Sequence, residues 1–360
     1  MNERNAPTPE TPANIVAPAR EPPVMAVVVS KGSGKQWLHR VLPWVSLVMG
    51  VISALTMDRG PERAALVAVA TVVSWLTLFA MRWAVSLPDD PSRSQRRQRV
   101  LAFLRRSTLV ATQSALQFGL FFSGPFYWRA AALLLDHALF IGVAAVLSAM
   151  TLWDPLSEWL LRRPTLGPLA LAFSSFATLN AVLPGFGLST QLSLWVAAIL
   201  GAVGVMLMAT WGAPAGQRLR TGLWVLLRAL LLPLAFSLGA ARLVPAAPLR
   251  LASIEFGTAA VEHWVAAPVT QLTAAPERLF CATAIASPVG VKDRLFHVWQ
   301  HAGSEVARIE LDIRGGRQAG YRTRSRLAGP QLRAAGRYTC SIETASGQRL
   351  GSRSIVIGGT

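Results

Sequence analysis

The sequence predicts a membrane protein in two parts, a bundle of seven transmembrane helices followed by an all-β sandwich. Hydrophobic residues make up 52% of the chain and charged residues only 15%, which lies outside the range of ordinary soluble domains. The apolar stretches are close to the roughly 20 helical residues that cross a hydrocarbon core. From Arg250 onward, short alternating runs replace these stretches, as is typical of half-buried strands.

Residues 1–36 are predicted to be a disordered cytoplasmic tail, because six prolines interrupt any regular structure there. The helix bundle follows over residues 37–243, a connector over residues 244–249, and the sandwich over residues 250–360. The seven predicted spans are Trp37–Met57, Ala64–Met81, Ser107–Phe126, Ala130–Leu152, Leu166–Leu183, Leu192–Trp211 and Gly222–Leu243. Pro125 shortens the usable length of the third span, and Pro233 predicts a kink in the seventh.

The distribution of Lys and Arg predicts the orientation of the bundle. Fourteen of these residues lie near the spans on one side, and only Arg59, Arg63 and Arg129 lie in the short loops opposite. Basic residues are retained on the cytoplasmic side, so the N-terminus is predicted to be inside. Seven crossings then place the C-terminal domain outside the cytoplasm, in the periplasm if the membrane is the inner membrane of a Gram-negative cell.

Two cytoplasmic segments between the spans have recognisable patterns. The arginines of the loop Leu87–Val100 are explained by topology and attraction to anionic lipid, with docking of a cytoplasmic partner as the alternative. Asp154-Pro155 is typical of a helix start, and the short helix after it, with Trp159, is predicted to lie along the membrane surface.

Several polar residues fall inside the predicted spans, and Asp136 is the most notable because an ionised carboxylate is costly in a bilayer. Gln113 and Gln117 share one helix face, and Asn180 has a depth similar to that of Asp136. We therefore predict a polar cluster of Asp136, Gln117 and Asn180. It either holds the helices together by hydrogen bonds or forms a path for protons or solutes.

The C-terminal domain is predicted to contain seven strands and one pair of cysteines. The strands are Leu251–Phe256, Leu279–Ile285, Arg294–His301, Ala307–Ile313, Gly320–Leu327, Gly336–Glu343 and Arg349–Ile357. Cys281 and Cys340 form a disulfide in an oxidising compartment or remain two separate buried thiols. With Trp299 between them and Tyr338 two positions before the second, they resemble the pattern of immunoglobulin-type sandwiches.

His297, Trp299 and His301 alternate along one predicted strand and therefore share one of its faces. If Trp299 lies in the core, the histidines are partly buried or at the rim. If Phe296 and Val298 are the core residues, the other face is an exposed aromatic and basic surface suited to sugars or anionic polymers. Metal binding by the two histidines is a third interpretation, but no third ligand is evident and no metal is predicted.

Arg322, Arg324 and Arg326 also alternate and project from one strand face. Two interpretations remain open for them. They pair across strands with Glu310 and Asp312, or they form an anion-binding stripe that faces envelope polymers or lipid headgroups.

Two groups of residues resemble uncharacterised bacterial families. The first group is similar to a family of multi-span membrane proteins, and the second to a C-terminal domain found in such proteins. The first comprises Thr112-Gln113, Gln117-Phe118, Leu120-Phe121-Phe122, Pro125-Phe126 and Asp154-Pro155; the second comprises His297-x-Trp299, Gly303, Arg322-Thr323-x-Ser325, Gly336, Tyr338 and Gly347-x-x-Leu350. The resemblance implies a bacterial envelope location and a β-rich end domain, and it implies no activity.

The sequence contains no metalloprotease motif, nucleophile elbow or close pair of carboxylates in the β-rich region, so neither an enzyme nor a cofactor is predicted. The net charge of +17 lies mostly in loops beside the spans, which argues against a nucleic-acid partner. The favoured interpretation is a membrane-anchored protein that contacts an envelope protein or polysaccharide through His297, Trp299, His301, Arg322 and Arg324. The alternative is a transporter or proton-coupled protein centred on Asp136.

Overall fold

The computed structural model describes the helices, the β-rich domain and most of the connections between them. The described residues are 36–56, 61–87, 94–131, 134–211, 215–217, 219–224, 227, 231, 240–287, 291–314, 320–332 and 335–358. Residues 1–35 of the predicted cytoplasmic tail lie outside these residues, and Gln36 is the first residue of a helix. Leu38–Thr360 forms one compact unit.

The N-terminal half of the chain is helical. Its α-helices are α1 (Gln36–Thr56), α2 (Pro61–Ser86), α3 (Gln95–Ala130), α4 (Leu134–Leu152), α5 (Asp154–Arg162), α6 (Leu166–Val182) and α7 (Thr190–Trp211). Among the described residues, four helical segments are long and apolar enough to cross a membrane: Ala64–Ser86, Leu135–Leu152, Leu166–Phe186 and Thr190–Thr210. They coincide with the second, fourth, fifth and sixth predicted spans.

The prediction of seven spans is not supported, since the described residues contain four candidates. In the first predicted span the apolar part of α1 covers only Trp44–Leu55. Helix α3 is 36 residues long and continues through Pro125, but its many Arg, Gln and Ser residues make it less apolar than the other spans. Most of Gly222–Leu243, including Pro233, lies outside the described residues.

Small residues and hydroxyl groups bring α3 and α6 into close contact. A Cβ atom added at Gly119 would lie 2.3 Å from the Ser174 hydroxyl oxygen, so only glycine fits without a shift. The Ser174 and Thr178 hydroxyls donate hydrogen bonds to the backbone carbonyls of Leu116 (3.4 Å) and Gly119 (3.2 Å). Within lipid the hydrophobic effect does not drive helices together, so close packing of small residues and hydrogen bonds between helices stabilise their association.

Two arginines in the predicted cytoplasmic regions bind the carbonyl ends of neighbouring helices. Arg82 donates to the carbonyl of Leu161 (3.2 Å) at the end of α5, and Arg105 donates to those of Ala84 (2.9 Å) and Leu87 (2.6 Å) at the end of α2. The last carbonyls of a helix lack partners within it, and a cation also complements the helix dipole there. These arginines thus have a structural role in addition to topology.

The boundary of the loop Leu87–Val100 was predicted incorrectly, because α3 begins at Gln95 and includes Arg96, Arg97 and Arg99. Helix α5 begins at Asp154 as the Asp-Pro pair predicted. However, Trp153 is the capping residue, and the Asp154 carboxylate instead accepts a hydrogen bond from Gln113 (3.1 Å).

A β-rich domain follows the helices, and we call residues Arg250–Gly358 the β domain. Its strands are β1 (Arg250–Gly257), β2 (Ala260–Val261), β3 (Trp264–Val265), β4 (Gln271–Leu272), β5 (Arg278–Ala286), β6 (Lys292–His301), β7 (Ser304–Arg314), β8 (Tyr321–Ala328), β9 (Gly336–Thr344) and β10 (Arg349–Ile357). Each of the seven predicted strands coincides with one of the longer strands. The two-residue strands β2, β3 and β4 were missed, because two residues are too few for an alternating pattern.

The longer strands form two sheets that face each other. The first has the order β1-β5-β8 and the second the order β4-β10-β9-β6-β7, while β2 and β3 form a small hairpin. Between the sheets, Phe256, Leu279 and Leu327 of the first pack with Trp299 and Ile355 of the second. The core of the β domain therefore lies between the two sheets.

Candidate functional site

A disulfide joins the two sheets at the centre of the β domain. Cys281 on β5 is bonded to Cys340 on β9, with a Cα–Cα distance of 6.7 Å, and both residues are fully buried. Trp299 on β6 is directly opposite Cys340 in the strand register and is also fully buried. The Tyr338 hydroxyl donates to the carbonyl of Gln331 (3.2 Å). The predicted disulfide is confirmed, and its surroundings match the immunoglobulin-type arrangement.

His297 lies in the same core, between hydroxyl groups of the opposite sheet. Its Nδ1 is 2.7 Å from the Ser325 hydroxyl oxygen and its Nε2 is 2.9 Å from that of Thr283, and the Trp299 indole donates to Ser325 (2.9 Å). Since Ser325 already accepts the Trp299 N–H, one consistent arrangement has Ser325 donating to Nδ1 and Nε2–H donating to Thr283. Burial lowers the pKa of His297 to about 3, so the ring is neutral near pH 7.

These positions correct part of the predicted contact surface. Trp299 and His297 are both 0% exposed, so neither can touch a partner of the folded protein. His301 is partly exposed at the rim, where its ring packs on Tyr338 with 4.5 Å between centroids. The structure thus matches the interpretation in which Trp299 is a core residue.

Potential metal-ligating atoms come together in this core. The two cysteine sulfurs and a His297 ring nitrogen lie within 4.8 Å of one another. A zinc or copper site would need both sulfurs as thiolates, whereas here they are bonded to each other. The group is therefore a structural core, and the two hydroxyls already occupy both histidine nitrogens.

Because the buried His297 ring is neutral, we expect the β domain to become less stable in mild acid. In the unfolded chain a histidine binds a proton near pH 6.5, while the folded state binds one only near pH 3. The free energy of unfolding should therefore be fully present above pH 6.5 and fall below it, at up to about 1.4 kcal/mol per pH unit. Urea unfolding of the β domain between pH 7 and pH 5 measures this loss.

The matched variants for this experiment are His297→Gln and His301→Gln. Glutamine at position 297 cannot titrate, so the dependence on pH should flatten, whereas the change at the rim position 301 should preserve it. An unchanged slope in His297→Gln would contradict the assignment of a neutral buried ring.

The accessible polar surface of the β domain with the clearest chemistry is the outer side of the β1-β5-β8 sheet. Arg322, Arg324 and Arg326 are exposed there along the edge strand β8. The Arg322 guanidinium lies 5.4 Å from the centroid of the Trp264 ring, and that of Arg324 lies 5.7 Å from the centroid of Phe280. We call these five residues the basic face. Trp264 and Phe280 were missed in the sequence because their contacts depend on long-range pairing of strands.

The predicted pairing of these arginines with Glu310 was wrong. Strand β8 is hydrogen-bonded to β5, whereas Glu310 lies on β7 of the other sheet and forms an ion pair with Arg294 (3.5 Å). The side chain of Asp312 lies outside the described residues. Within the described part of the chain, none of the three arginines forms an ion pair with a carboxylate.

The predicted intramembrane cluster does not form. The Gln117 side chain donates to the carbonyl of Thr151 (2.6 Å) at the end of α4, whereas Asp136 lies at the start of the same helix, about 22 Å away. Asn180 donates to the Tyr127 hydroxyl (2.9 Å). Asp136 is half exposed and faces Arg349 of the β domain (3.7 Å). The observed hydrogen bonds of Gln117 and Asn180 join helices to one another.

Among the described residues, three polar contacts attach the β domain to the helical part of the chain. One is the ion pair between Arg349 and Asp136 at the start of α4. In the second, the Asp293 carboxylate accepts the backbone N–H of Thr190 (2.9 Å), the first residue of α7. In the third, the Gln348 side chain donates to the backbone carbonyls of Val244 (3.0 Å) and Pro245 (3.3 Å).

The Asp293 contact places a carboxylate at a helix N-terminus, where free N–H groups and the helix dipole favour negative charge. Burial raises the pKa of Asp293, and the backbone N–H groups of Thr190 and Arg294 oppose this rise. The carboxylate has little solvent around it and depends on these two donors. No pattern in the sequence indicates this contact.

Comparison with protein families gives two matches. A family of unknown function, DUF5924, matches residues 25–277, which is more than half of the chain. The chain belongs to the DUF5924 family. A second family of unknown function, DUF2914, matches residues 292–355. No curated protein matches the chain.

The family boundaries divide the β domain. The DUF5924 match includes the helices and strands β1–β4, and the DUF2914 match begins at β6. Strand β5, with Cys281, lies between the two matched regions. Strand β4 of the DUF5924 region is paired with β10 of the DUF2914 region, so one sheet of the β domain contains strands from both regions.

Proposed function

We propose that this protein is a membrane-anchored binding protein of the bacterial cell envelope. The helices cross the inner membrane and hold the β domain on its periplasmic side, where the domain contacts an envelope partner or polymer. We propose an odd number of crossings with the N-terminus in the cytoplasm, of which the four described candidates are part.

The main support for this proposal is that the β domain contacts the helix ends opposite to those that hold the arginines. Its contacts go to the start of α4, the start of α7 and the connector at Val244. The opposite ends of the helices hold the arginines, with Arg82 and Arg105 bound to the last carbonyls of α5 and α2. Since basic residues are retained in the cytoplasm, this arrangement supports a β domain outside it.

The disulfide supports the same placement. Disulfides persist in oxidising compartments such as the periplasm and are rare in the cytosol. Asp136 was the main residue supporting a transport function, and it forms an ion pair with the β domain. We therefore do not propose transport.

An alkaline phosphatase fused after Thr360 tests the proposal, because this reporter is active only outside the cytoplasm. The fusion is expected to be active, and a matched fusion after Ser86, at the end of α2, is expected to be inactive. A stable but silent fusion after Thr360 would place the β domain in the cytoplasm and overturn the proposal.

A further inference from the structure

We infer that the basic face of the β domain binds an acidic polysaccharide, laid along strand β8 and leading away from the helices. This inference deepens the proposed function by naming the surface and the chemical class of its partner. It depends on the domain lying outside the cytoplasm, where such polymers are found.

The charges of the basic face are available to a ligand. Arg322, Arg324 and Arg326 are exposed, and within the described residues none has a carboxylate partner. On the other sheet two arginines are paired, Arg294 with Glu310 (3.5 Å) and Arg308 with Glu343 (3.5 Å), and Arg337 is exposed on β9. The first sheet presents three exposed guanidinium groups in a row on one strand, none with a carboxylate partner among the described residues.

Two of these guanidinium groups are held in place before any ligand arrives. Arg322 lies over the Trp264 ring, and the Trp264 indole donates to the Glu255 carboxylate (2.9 Å), which fixes the ring. Arg324 lies over Phe280. An arginine already ordered on an aromatic ring loses less conformational freedom on binding, and its flat fork of donors matches carboxylate or phosphate groups.

The direction in which the three arginines run along β8 favours a polymer over a lipid surface as the ligand. Tyr321, next to Arg322, is paired with Ile285 of β5, and the adjacent Ala286 is paired with Arg250, which follows the connector directly. Arg326 lies four residues further along β8, about 13 Å away from that end. A bilayer surface at the helix ends would lie nearest to the first arginine, whereas an extended chain can follow the whole row.

The composition of the surface separates a polysaccharide from a protein partner. Stable protein interfaces have buried aromatic or aliphatic anchors at their centre. Among the described residues of the β domain, the exposed large hydrophobic residues are Val261, which is paired with Trp264 beside the basic face, and Val356 on the other sheet. The rings of Trp264 and Phe280 are themselves covered by arginines. A row of charges with one exposed valine beside it fits a hydrated polyanion better than a folded protein.

The test uses the full-length protein in nanodiscs of uncharged phosphatidylcholine, with polygalacturonate as the probe and neutral dextran as its control. The protein is expected to bind polygalacturonate, with an affinity that falls as salt rises, and not dextran. The variant Arg322→Gln/Arg324→Gln should bind about tenfold more weakly for each arginine removed. The matched variant Arg294→Gln/Arg337→Gln removes the same charge from the other sheet and should bind within about twofold of wild type.

Trp264 positions the Arg322 guanidinium, so its variants are compared by their affinity for polygalacturonate and by the salt dependence of that affinity. Trp264→Leu keeps every charge and should lower the affinity while leaving the salt dependence unchanged, and Trp264→Phe should restore much of the affinity. If the affinity fell because the β domain misfolded, the disulfide or the protection of the β-domain amides from hydrogen exchange would be lost as well. Mass spectrometry measures both.

Three outcomes would overturn the inference. Equal binding by Arg322→Gln/Arg324→Gln and wild type would remove the basic face from the interaction. Tighter binding of poly-L-glutamate than of polygalacturonate would indicate an acidic protein instead. Absence of polygalacturonate binding, with the phosphatase fusion after Thr360 still active, would reject this partner and leave the proposed placement intact.

Discussion

Replacing both cysteines, as Cys281→Ser/Cys340→Ser, is expected to lower the free energy of unfolding of the β domain by about 4 kcal/mol. The disulfide closes a loop with a sequence separation of 59 residues, and opening such a loop raises the entropy of the unfolded chain. The bond also joins β5 to β9, which belong to opposite sheets. Urea unfolding of the full-length protein in detergent, followed by hydrogen exchange of the β-domain amides, measures the loss.

Two controls accompany this measurement. Wild-type protein unfolded in urea with a reductant should match the double variant, since both lack the bond. Non-reducing mass spectrometry of wild type should find no free thiol among its two cysteines. An unchanged unfolding midpoint in the double variant would show that the bond does not hold the two sheets together.

Trp299→Ala is expected to lower the free energy of unfolding of the β domain by about 3–5 kcal/mol. The indole is fully buried, packs on Phe256 with 5.8 Å between ring centroids, and donates a hydrogen bond to Ser325. Alanine would leave a cavity beside the disulfide and take one partner from the hydroxyl that orders His297. The measurement is the same urea unfolding at pH 7, with the disulfide intact.

Trp299→Phe and Trp264→Ala are the comparison variants. Phenylalanine keeps most of the buried surface and loses the indole donor, so its loss should be smaller. Trp264 lies on the outer side of the first sheet, where removal of its ring should cost the fold less than removal of Trp299. If Trp264→Ala destabilised the domain as much as Trp299→Ala, the core would not be centred on Trp299.

Local pattern predicted the strands well, because alternation over eight or more residues is a property of the chain alone. Strands β1 and β5–β10 follow it closely, whereas β2–β4 are too short to show it. The helices were predicted less well where polar residues interrupt them. Helix α3 contains Gln113 and Gln117, which are buried against α4, and its composition alone does not identify it as a span.

The surroundings of His297, Trp299 and Asp136 could not be predicted, because they depend on contacts between residues far apart in the sequence. Alternation placed His297 and Trp299 on one face, but the hydroxyls of Thr283 and Ser325 that receive them lie on strands of the opposite sheet. Asp136 was expected to have a partner within the bundle because an ionised carboxylate is costly in a bilayer. Its partner, Arg349, comes from the far end of the chain.

The three-point attachment through Asp136, Thr190 and Val244 determines how the β domain can meet a ligand. A domain on a long flexible tether would sample many positions and angles, whereas one held at the starts of α4 and α7 and at the connector keeps one position relative to the helices. If the helices cross the inner membrane as proposed, the β domain cannot extend away from it, so a ligand has to come close to that membrane to be bound.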